Sequence, residues 1–274
     1  MPMLGSRTIP RISALVSTYN SERFMRGCLE DLCAQTIFPE IEVLVIDSAS
    51  PQKEGAIVRE FQARHANIFY ERTPQREGLY AAWNRALKLA RAPYVTNANT
   101  DDRHAPDALE KLATALDARP AVGVAYAATA ITEAENATLA TAPISGHFKA
   151  RRYDRRRLFW DCLPGPQPMW RRDLHAQFGY FDESYVSAGD YEFWLRISAA
   201  VQFAAVRETL GLFLKSPASI SHSNAARAEE ESERARAQHW PAAWGVRPKS
   251  HRSWLNRWTR RSTYREWWQQ WRQR

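Results

Sequence analysis

The chain has 274 residues, of which 45% are hydrophobic, and a formal net charge of +8. This length suits one large domain, and the apolar content is sufficient to bury a core. No run of about 18 apolar residues is present, so no membrane-spanning helix is predicted. The first ten residues are too short and polar for a signal peptide, and three cysteines without metal-binding spacing indicate a reducing compartment. We therefore expect a cytoplasmic protein.

Short apolar segments alternate with helical patterns over the first half of the chain. The strands are predicted at 12–16, 41–46, 67–71, 93–97 and 122–132, and the helices at 22–35, 53–65, 79–91 and 106–118. Residues 41–46 are nearly all apolar, which is typical of a strand buried on both faces of a parallel sheet. The pattern predicts an α/β fold with an open, mostly parallel, twisted sheet flanked by helices.

The regular alternation stops after about residue 135. Residues 135–157 read as a loop that ends in an Arg-rich cluster, and 163–168 form a turn-rich stretch. Further elements are predicted as a helix at 189–200, strands at 202–206 and 210–214, and a charged helix at 225–238. The tail from residue 240 holds seven of the eleven tryptophans, mixed with arginine.

Two adjacent carboxylates, Asp101 and Asp102, follow the fourth predicted strand directly. Ligands bind open α/β sheets beyond the carboxyl ends of the strands. Placing two carboxylates together is costly unless a cation lies between them, and such hard oxygen ligands suit Mg²⁺ or Mn²⁺. The alternative is that one of them merely caps the helix that begins near Pro106.

Other strand ends also bear polar residues. Asp47, after the second strand, could accept a hydrogen bond from the N–H of a uracil, thymine or guanine base, or it could form an Asx-turn with the serines that follow. Thr18 and Tyr19 could line the pocket of the same base. The Gly-containing loop 72–78 precedes a helix, whose N-terminus favours anionic groups.

Six segments occur in the order and spacing of a known family. They are Val-Ser-Thr-Tyr-Asn-Ser-Glu at 16–22, Val-Leu-Val-Ile-Asp-Ser-Ala-Ser at 43–50, Arg-Glu-Gly-Leu-Tyr-Ala-Ala-Trp-Asn-Arg-Ala at 76–86, Asn-Ala-Asn-Thr-Asp-Asp-Arg at 97–103, Gly-Tyr-Phe-Asp-Glu-Ser-Tyr at 179–185 and Ala-Gly-Asp-Tyr-Glu-Phe-Trp-Leu-Arg at 188–196. Over residues 11–222 the chain resembles an inverting family 2 glycosyltransferase of the GT-A fold, of the type that builds bacterial surface polysaccharides.

The resemblance implies a metal-dependent enzyme that moves a sugar from a nucleotide-diphosphate sugar, with a UDP-sugar favoured, to the hydroxyl of a glycan or lipid-linked glycan. Asp101, at the D-x-D position, would bind Mn²⁺ or Mg²⁺ with Asp102 beside it, and Asp190 would be the general base, with Glu192 as its rival. The residues implied to bind the nucleotide-sugar are Thr18, Tyr19, Glu22, Asp47, Arg76, Gly78, Asn84, Asn99 and Thr100.

Several positions depart from the family pattern. Asn99 replaces the first acid of D-x-D, and Gly189 replaces the first acid of the E-D pair. Ser48 stands where a second Asp is frequent. Ser216 occupies the place of a His that commonly helps to bind the metal or diphosphate, and Lys215 or His222 could substitute for it. Because of these departures, the alternative remains that the protein is non-catalytic and only binds nucleotide or glycan.

The remaining interpretations rest on position along the chain. Gln167 and Trp170 precede the helix of the general base and could line the acceptor pocket. The Arg-rich cluster at 151–157 could close over the diphosphate or contact a lipid-linked acceptor. Tryptophan and arginine together in the tail are typical of membrane interfaces, so peripheral attachment to an anionic inner membrane face competes with simple packing on protein.

We predict a catalytic domain at 1–222, with a nucleotide-sugar half at 11–132 and an acceptor half at 133–222, followed by a helical tail at 223–274. The chain lacks the sequence motifs of two other enzyme classes. A nucleotidyltransferase would carry a Gly-rich phosphate loop at residues 17–20, and a dinucleotide oxidoreductase would carry G-x-G-x-x-G there. No recognisable nucleic-acid-reading element is present, so nucleic acid is not an expected partner.

Overall fold

The structure is a computed structural model that describes residues 9–216 and 225–247. The strands in these residues are β1 (Ile12–Thr18), β2 (Ile41–Asp47), β3 (Ile68–Arg72), β4 (Tyr94–Asn97), β5 (Arg103–His104), β6 (Val122–Thr132), β7 (Gly146–Phe148), β8 (Met169–Arg171) and β9 (Gln202–Leu214). The helices are α1 (Glu22–Cys33), α2 (Glu54–Gln62), α3 (Leu79–Leu89), α4 (Ala108–Asp117), α5 (Arg155–Leu158), α6 (Leu174–Phe178), α7 (Gly189–Ile197) and α8 (Ala225–His239), with 3₁₀ helices at Phe38–Glu40 and Ala242–Trp244.

The described strands form one mixed sheet in the order β3-β2-β1-β4-β8-β6-β9-β5, and β7 pairs with β6. Strands β3, β2, β1 and β4 are parallel, whereas β8 is antiparallel to both β4 and β6. Strand β9 is parallel to β6, and β5 and β7 are antiparallel edge strands. The predicted α/β fold with an open sheet flanked by helices is confirmed, although the sheet is parallel mainly in its first half.

The central strand β2 explains why the sheet is covered on both faces. All seven of its residues are buried. Val43 and Val45 pack into a core with α1, α2 and α4, while Leu44 and Ile46 pack into a second core with α3 and α7. Because successive side chains of a strand point to opposite faces, an unbroken apolar run requires helices on both sides.

Several elements differ from the prediction. The two strands predicted at 202–206 and 210–214 form one continuous strand, β9, from Gln202 to Leu214. Its pairing with β6 shifts in register at Ala127 and Ala128 of β6, so the residues between the two predicted strands are accommodated without a break. The segment predicted as a loop contains β7 and α5. The short elements β5, β8 and α6 were not predicted, since two to five residues show no periodicity.

Helix α8 packs against α7, so part of the predicted tail contacts the sheet-bearing part of the molecule. The Glu231 carboxylate accepts hydrogen bonds from the backbone N–H groups of Val186, Ser187 and Ala188 at 2.8–3.1 Å, directly before α7 begins. The N–H groups at the start of a helix have no hydrogen-bond partner within the helix, and a buried carboxylate is an effective partner for groups at this end. Helix α8 therefore fixes the start of α7.

No helix in the two described ranges is long and apolar enough to cross a membrane. Residues 248–274 of the Trp- and Arg-rich tail, the predicted boundary at residue 222 and His222 itself lie outside the described residues.

We predict that Glu231→Gln lowers the free energy of unfolding by about 1–3 kcal/mol at pH 7, because a neutral amide replaces a charged acceptor of backbone N–H groups. Glu230 is exposed on the same helix, and Glu230→Gln should change stability by less than about 0.5 kcal/mol. Urea unfolding monitored by circular dichroism measures both. An equal effect of the two substitutions would contradict the assigned role.

The same pair of variants has a pH signature. Burial favours the neutral form of Glu231, but N–H donors from Ser187, Ala188 and Val186, together with Arg227, outweigh it and lower the pKa. Stability from a depressed carboxyl pKa is present above the unfolded value of about 4.3 and is lost at lower pH. The difference between wild type and Glu231→Gln should therefore shrink as the pH falls below about 4.

Candidate active site at the carboxyl edge of the sheet

The carboxyl ends of β1, β2 and β3 meet at one edge of the sheet. Thr18 lies opposite Asp47 in the register, and Asp47 lies opposite Arg72. On the other side of β1, Leu15 lies opposite Asn97 of β4, so the loop that holds Asp101 leaves at the same end. The parallel register thus brings the loops after all four strands together, as the sequence predicts.

Asp47 is fully buried and both of its carboxylate oxygens are engaged. One oxygen accepts the backbone N–H of Ser50 at 2.7 Å, which is the Asx-turn considered as an alternative. The other accepts the Tyr70 hydroxyl at 2.5 Å and the Arg72 guanidinium at 2.7 Å. Burial, followed by the bond to Asp47, raises the pKa of Tyr70 to about 12. A base that contacts Asp47 has to replace or join one of these partners.

Glu54, in the first turn of α2, joins the same edge and was not singled out from the sequence. It is fully buried, and its Oε1 accepts from Ser21 N and Ser50 Oγ at 2.8 Å and from Thr18 Oγ1 at 3.4 Å. Its Oε2 is buried without a hydrogen-bond partner among the described residues. An acidic residue in the first turn of a helix that follows a strand end is the sequence signal for such a contact.

Tyr19 lies at the rim of this edge with Arg76. The guanidinium of Arg76 lies 4.1 Å from the centroid of the Tyr19 ring. Glu22 accepts the backbone N–H of Lys53 at 3.1 Å, which ties the start of α1 to the start of α2. Gly78 occupies the N-cap position of α3 in an extended conformation. Tyr19, Arg76 and Gly78 therefore surround the region predicted to bind the nucleotide-sugar.

Asp102 is buried and makes internal contacts. Its side chain accepts from Asn99 Nδ2 at 3.0 Å and from the backbone N–H of Leu214 at 3.2 Å. The residue at the N-cap of α4 is Asp107, so neither Asp101 nor Asp102 caps that helix. The helix-cap alternative is thereby excluded. Asn99 stands where the family has an acid, and its side-chain amide orients Asp102 through the hydrogen bond. Thr100, the next residue, is buried.

Asp101 differs from its neighbour because its carboxylate is not engaged by the surrounding strands. Burial raises its pKa, although its own backbone N–H and the charge of Arg23 oppose this effect. Burial and then the charge of Asp101 raise the pKa of Asp102 far more. Asp101 is half-buried and Asp102 is buried. Two adjacent carboxylates of this kind with raised pKa values suit a site that receives a cation.

The residues fit a divalent cation that is completed by substrate. No group of three His, Cys, Asp or Glu side chains that could hold a metal exists within residues 9–216 and 225–247. Mg²⁺ characteristically uses one or two carboxylates together with substrate phosphates and water. Asp101 is the available ligand, while Asp102 already accepts two hydrogen bonds. Lys215, directly before the position where a His was expected, pairs with Glu133 at 2.8 Å.

Asp190 lies in the first turn of α7, and Tyr80 of α3 contacts it. The Tyr80 hydroxyl donates to Asp190 Oδ1 at 3.1 Å. Burial raises the pKa of Asp190, while the Tyr191 N–H and the Tyr80 hydroxyl lower it. A carboxylate with a raised pKa is better matched to accepting a proton near neutral pH than a fully solvated one.

Glu192, the rival general base, is engaged elsewhere. It is buried, pairs with Arg196 at 2.7 Å and lies 2.6 Å from His239 of α8. Burial favours its neutral form, but His239 and Arg196 outweigh that effect and lower the pKa. Arg196 also donates to the carbonyl groups of Phe178 and Tyr180. Glu192 is thus held in a structural ion pair, which leaves Asp190 as the candidate base.

Three other predicted site residues have structural contacts. Trp170 is fully buried and donates to His175 at 2.9 Å, so its ring offers no open face to an acceptor and its prediction as a pocket wall does not fit this structure. Gln167 is buried and donates to the Arg103 carbonyl at 2.9 Å. Asn84 is buried and bonds the backbone of Phe181 in both directions.

The Arg-rich cluster is partly folded. Asp154 caps α5 by accepting the backbone N–H of Arg157, and Arg155 donates to Ser198 at 3.2 Å. The guanidinium groups of Arg155 and Arg156 each lie 5.3 Å from the centroid of a Trp244 ring. Cation–π contacts of this kind tie the cluster to the segment that follows α8.

A family profile decides the class of the protein. The profile described as Glycosyl transferase family 2 matches residues 13–176, which is more than half of the chain. The chain belongs to glycosyl transferase family 2. The predicted family is therefore confirmed, and the match includes every strand end described above. Asp190 and α7 lie after the matched residues.

Curated relatives agree with this class. A glycosyltransferase of Methanocaldococcus jannaschii is 25% identical over 215 residues, which are 76% of this chain and 72% of the relative. EpsH of Bacillus subtilis is 34% identical over 120 residues, 43% of this chain and 34% of the relative. Chondroitin synthase of Escherichia coli is 29% identical over 104 residues, 38% of this chain but 15% of the relative. The chain therefore spans only a small part of several longer relatives.

Solved glycosyltransferases share the fold. The TarS fragment 1-349 of S. aureus in complex with UDP has a TM-score of 0.66 and 21% identity, covering 84% of this chain and 65% of that chain. The mannosyltransferase PcManGT of Pyrobaculum calidifontis, in complex with GDP-Man and Mn²⁺, has a TM-score of 0.59 and 17% identity, covering 94% and 83%. At these identities the similarity establishes the GT-A architecture.

Two side chains that were not singled out from the sequence, Tyr80 and Glu54, contact the predicted site residues Asp190 and Thr18. Both contact residues that are distant in the sequence, so their roles follow from the fold. Tyr80 lies inside a matched segment, yet its partner Asp190 is 110 residues away. Glu54 contacts the end of β1 through Thr18, 36 residues away.

We predict that Tyr70→Phe lowers the free energy of unfolding by about 0.5–1.5 kcal/mol at neutral pH, through loss of the bond to Asp47. Because the folded pKa of Tyr70 is raised to about 12, this stabilisation is present below the unfolded value of about 10 and is lost as the pH rises towards 12. Urea unfolding at pH 7 to 11.5 measures it. The exposed Tyr180 provides the control Tyr180→Phe; a pH-independent difference for Tyr70→Phe would refute the assignment.

Proposed function

We propose that this glycosyltransferase transfers a sugar with inversion from a nucleotide-diphosphate sugar to an acceptor hydroxyl, in a reaction that depends on Mn²⁺ or Mg²⁺. Asp190 is the general base, and Asp101 is the protein ligand of the metal. The observation that supports this assignment best is the state of the carboxylates. Asp102 and Glu192 are each held by two internal partners. Within the described residues, no other side chain donates a hydrogen bond to Asp101, and Asp190 accepts one side-chain hydrogen bond, from the Tyr80 hydroxyl.

The donor is a nucleotide-sugar, for which a UDP-sugar is the first candidate. The solved neighbours bind UDP, UDP-GlcNAc or GDP-Man. In this chain Asp47 provides the acceptor for a base N–H, with Thr18 and Glu22 at the two ends of the adjoining loop. The stacked pair of Tyr19 and Arg76 presents a flat cationic surface beside them. The N-terminus of α3 after Gly78 favours the diphosphate.

A divalent cation supplies charge neutralisation and orientation of the leaving diphosphate when it is bound. Asp101 would hold this cation, with the neighbouring Asp102 as the second carboxylate. Asn99 keeps Asp102 oriented. Arg23 of α1, which pairs with Glu135, adds a positive charge that acts on Asp101. The protein thus contributes few ligands, and the donor phosphates complete the set.

The transfer step follows from the position of Asp190. Its carboxylate accepts the proton of the acceptor hydroxyl as that oxygen attacks the anomeric carbon. The bond between this carbon and the diphosphate oxygen breaks on the opposite face, and its electron pair leaves with the nucleoside diphosphate. The transition state resembles an oxocarbenium ion, and one displacement inverts the anomeric configuration. General-base assistance of this kind contributes roughly 10²–10⁴-fold.

The acceptor is proposed to be a glycan or a lipid-linked glycan hydroxyl. The basic surface at 149–157, held by Trp244 through Arg155 and Arg156, suits an anionic carrier. A protein that works on such a carrier would act at the cytoplasmic membrane face, with the Trp- and Arg-rich tail as the attachment segment. Asn99 and Gly189, which replace family acids, make a non-catalytic glycan- or nucleotide-binding protein the alternative.

We predict that Asp190→Asn reduces transfer or donor hydrolysis by roughly 10²–10⁴-fold while leaving nucleotide-induced thermal stabilisation intact. The matched control is Asp173→Asn, which alters an exposed carboxylate at the start of α6. The measurement combines release of UDP or GDP from a panel of nucleotide-sugars with a thermal-shift assay in the presence of Mn²⁺. Unchanged turnover in Asp190→Asn would exclude it as the base; absence of turnover in wild type despite nucleotide binding would favour the non-catalytic alternative.

A further inference from the structure

The place where Gly189 replaces a family acid is occupied by the ring of Tyr80. A Cβ atom built on Gly189 would lie 2.7, 2.8 and 2.9 Å from the Cε2, Cδ2 and Cζ atoms of that ring. Real Cβ atoms essentially never approach another atom so closely, and the neighbouring atoms are a rigid ring. Any side chain at position 189 would therefore displace Tyr80 from its present position.

Tyr80 is held in this position from its other sides. Its ring makes an edge contact with Trp83 at 5.5 Å and lies 5.8 Å from Phe181, and the residue is 2% exposed. Aromatic contacts of this geometry fix a ring in one orientation. The hydroxyl consequently donates to one side chain, Asp190 Oδ1 at 3.1 Å, while the backbone of Gly189 and Asp190 also hydrogen-bonds to the hydroxyl.

We propose that Tyr80 is the positioning residue of the general base, and that the lack of a side chain at Gly189 leaves room for the Tyr80 ring. This inference rests on the proposed role of Asp190. The Tyr80 hydroxyl holds the Asp190 carboxylate from α3, in place of the missing acid on α7. Helix α3 begins directly after the loop that ends at Gly78. The orientation of the base is therefore linked to the element that is proposed to bind the donor diphosphate.

The groups around Asp190 are few, which makes the contribution of Tyr80 measurable. Besides the Tyr80 hydroxyl, Asp190 is approached by the backbone N–H of Tyr191 and by its own N–H. The Cys162 thiol lies within electrostatic range. Burial and the charge of Asp190 raise the pKa of Tyr80 well above its usual value, so its hydroxyl stays protonated and remains a donor.

The test replaces Tyr80 by phenylalanine, which keeps the ring that fills the space beside Gly189. The carboxyl carbon of Asp190 is assigned by ¹³C NMR against Asp190→Asn and titrated in each variant. The pKa of Asp190 should be higher in Tyr80→Phe than in wild type, because a donor to the charged form is lost. Tyr126→Phe is the control, since Tyr126 is a buried tyrosine whose hydroxyl donates to the Arg151 carbonyl.

Activity gives an independent readout. In Tyr80→Phe the turnover number for hydrolysis of UDP-GlcNAc or GDP-mannose should fall roughly 10-fold with the donor KM unchanged, and the acidic limb of the pH profile should move to higher pH. Gly189→Ala should reproduce both changes because it displaces the ring. Full activity of Asp190→Asn would show that Asp190 is not the general base, without contradicting the hydrogen bond between Tyr80 and Asp190. Identical Asp190 titrations in wild type and Tyr80→Phe would overturn the role of Tyr80 alone.

Discussion

Parallel pairing of β1 with β2 and β4, and of β2 with β3, is the constraint on which the site depends. It places the ends of four strands at one edge, and most polar groups of the site follow those ends. Carboxylates gathered at a buried edge repel one another and lose hydration, so each requires a compensating partner. The structure provides such partners for Asp47, Glu54, Asp102 and Asp190.

Asp101 differs from these carboxylates, and the proposed metal site depends on that difference. Within the described residues, its half-buried carboxylate is offset by its own backbone N–H and by the charge of Arg23. A donor diphosphate would bring further negative charge to the same place. In the proposed function, a divalent cation between Asp101 and the phosphates would offset both negative charges, so that a small set of protein ligands would be sufficient.

The sequence predicted the part of the site that depends on local order along the chain. Apolar runs gave the strands, and the positions after them located Asp47, Asp101 and the loop ending at Gly78. Contacts between distant segments were not accessible in this way. Nothing in the pattern shows that Gly189 makes room for Tyr80, that Glu231 stabilises the start of α7, or that Trp170 is buried in the core. These contacts exist only after the sheet and helices have packed.

The central claim is that a cation bound by Asp101 joins the protein to the donor diphosphate. Its most direct test is anomalous diffraction from crystals grown with UDP and Mn²⁺. The account predicts a manganese peak at roughly 2.0–2.6 Å from an Asp101 carboxylate oxygen and in contact with the diphosphate. Bound UDP with no anomalous peak beside Asp101, or with manganese held by other residues, would contradict it.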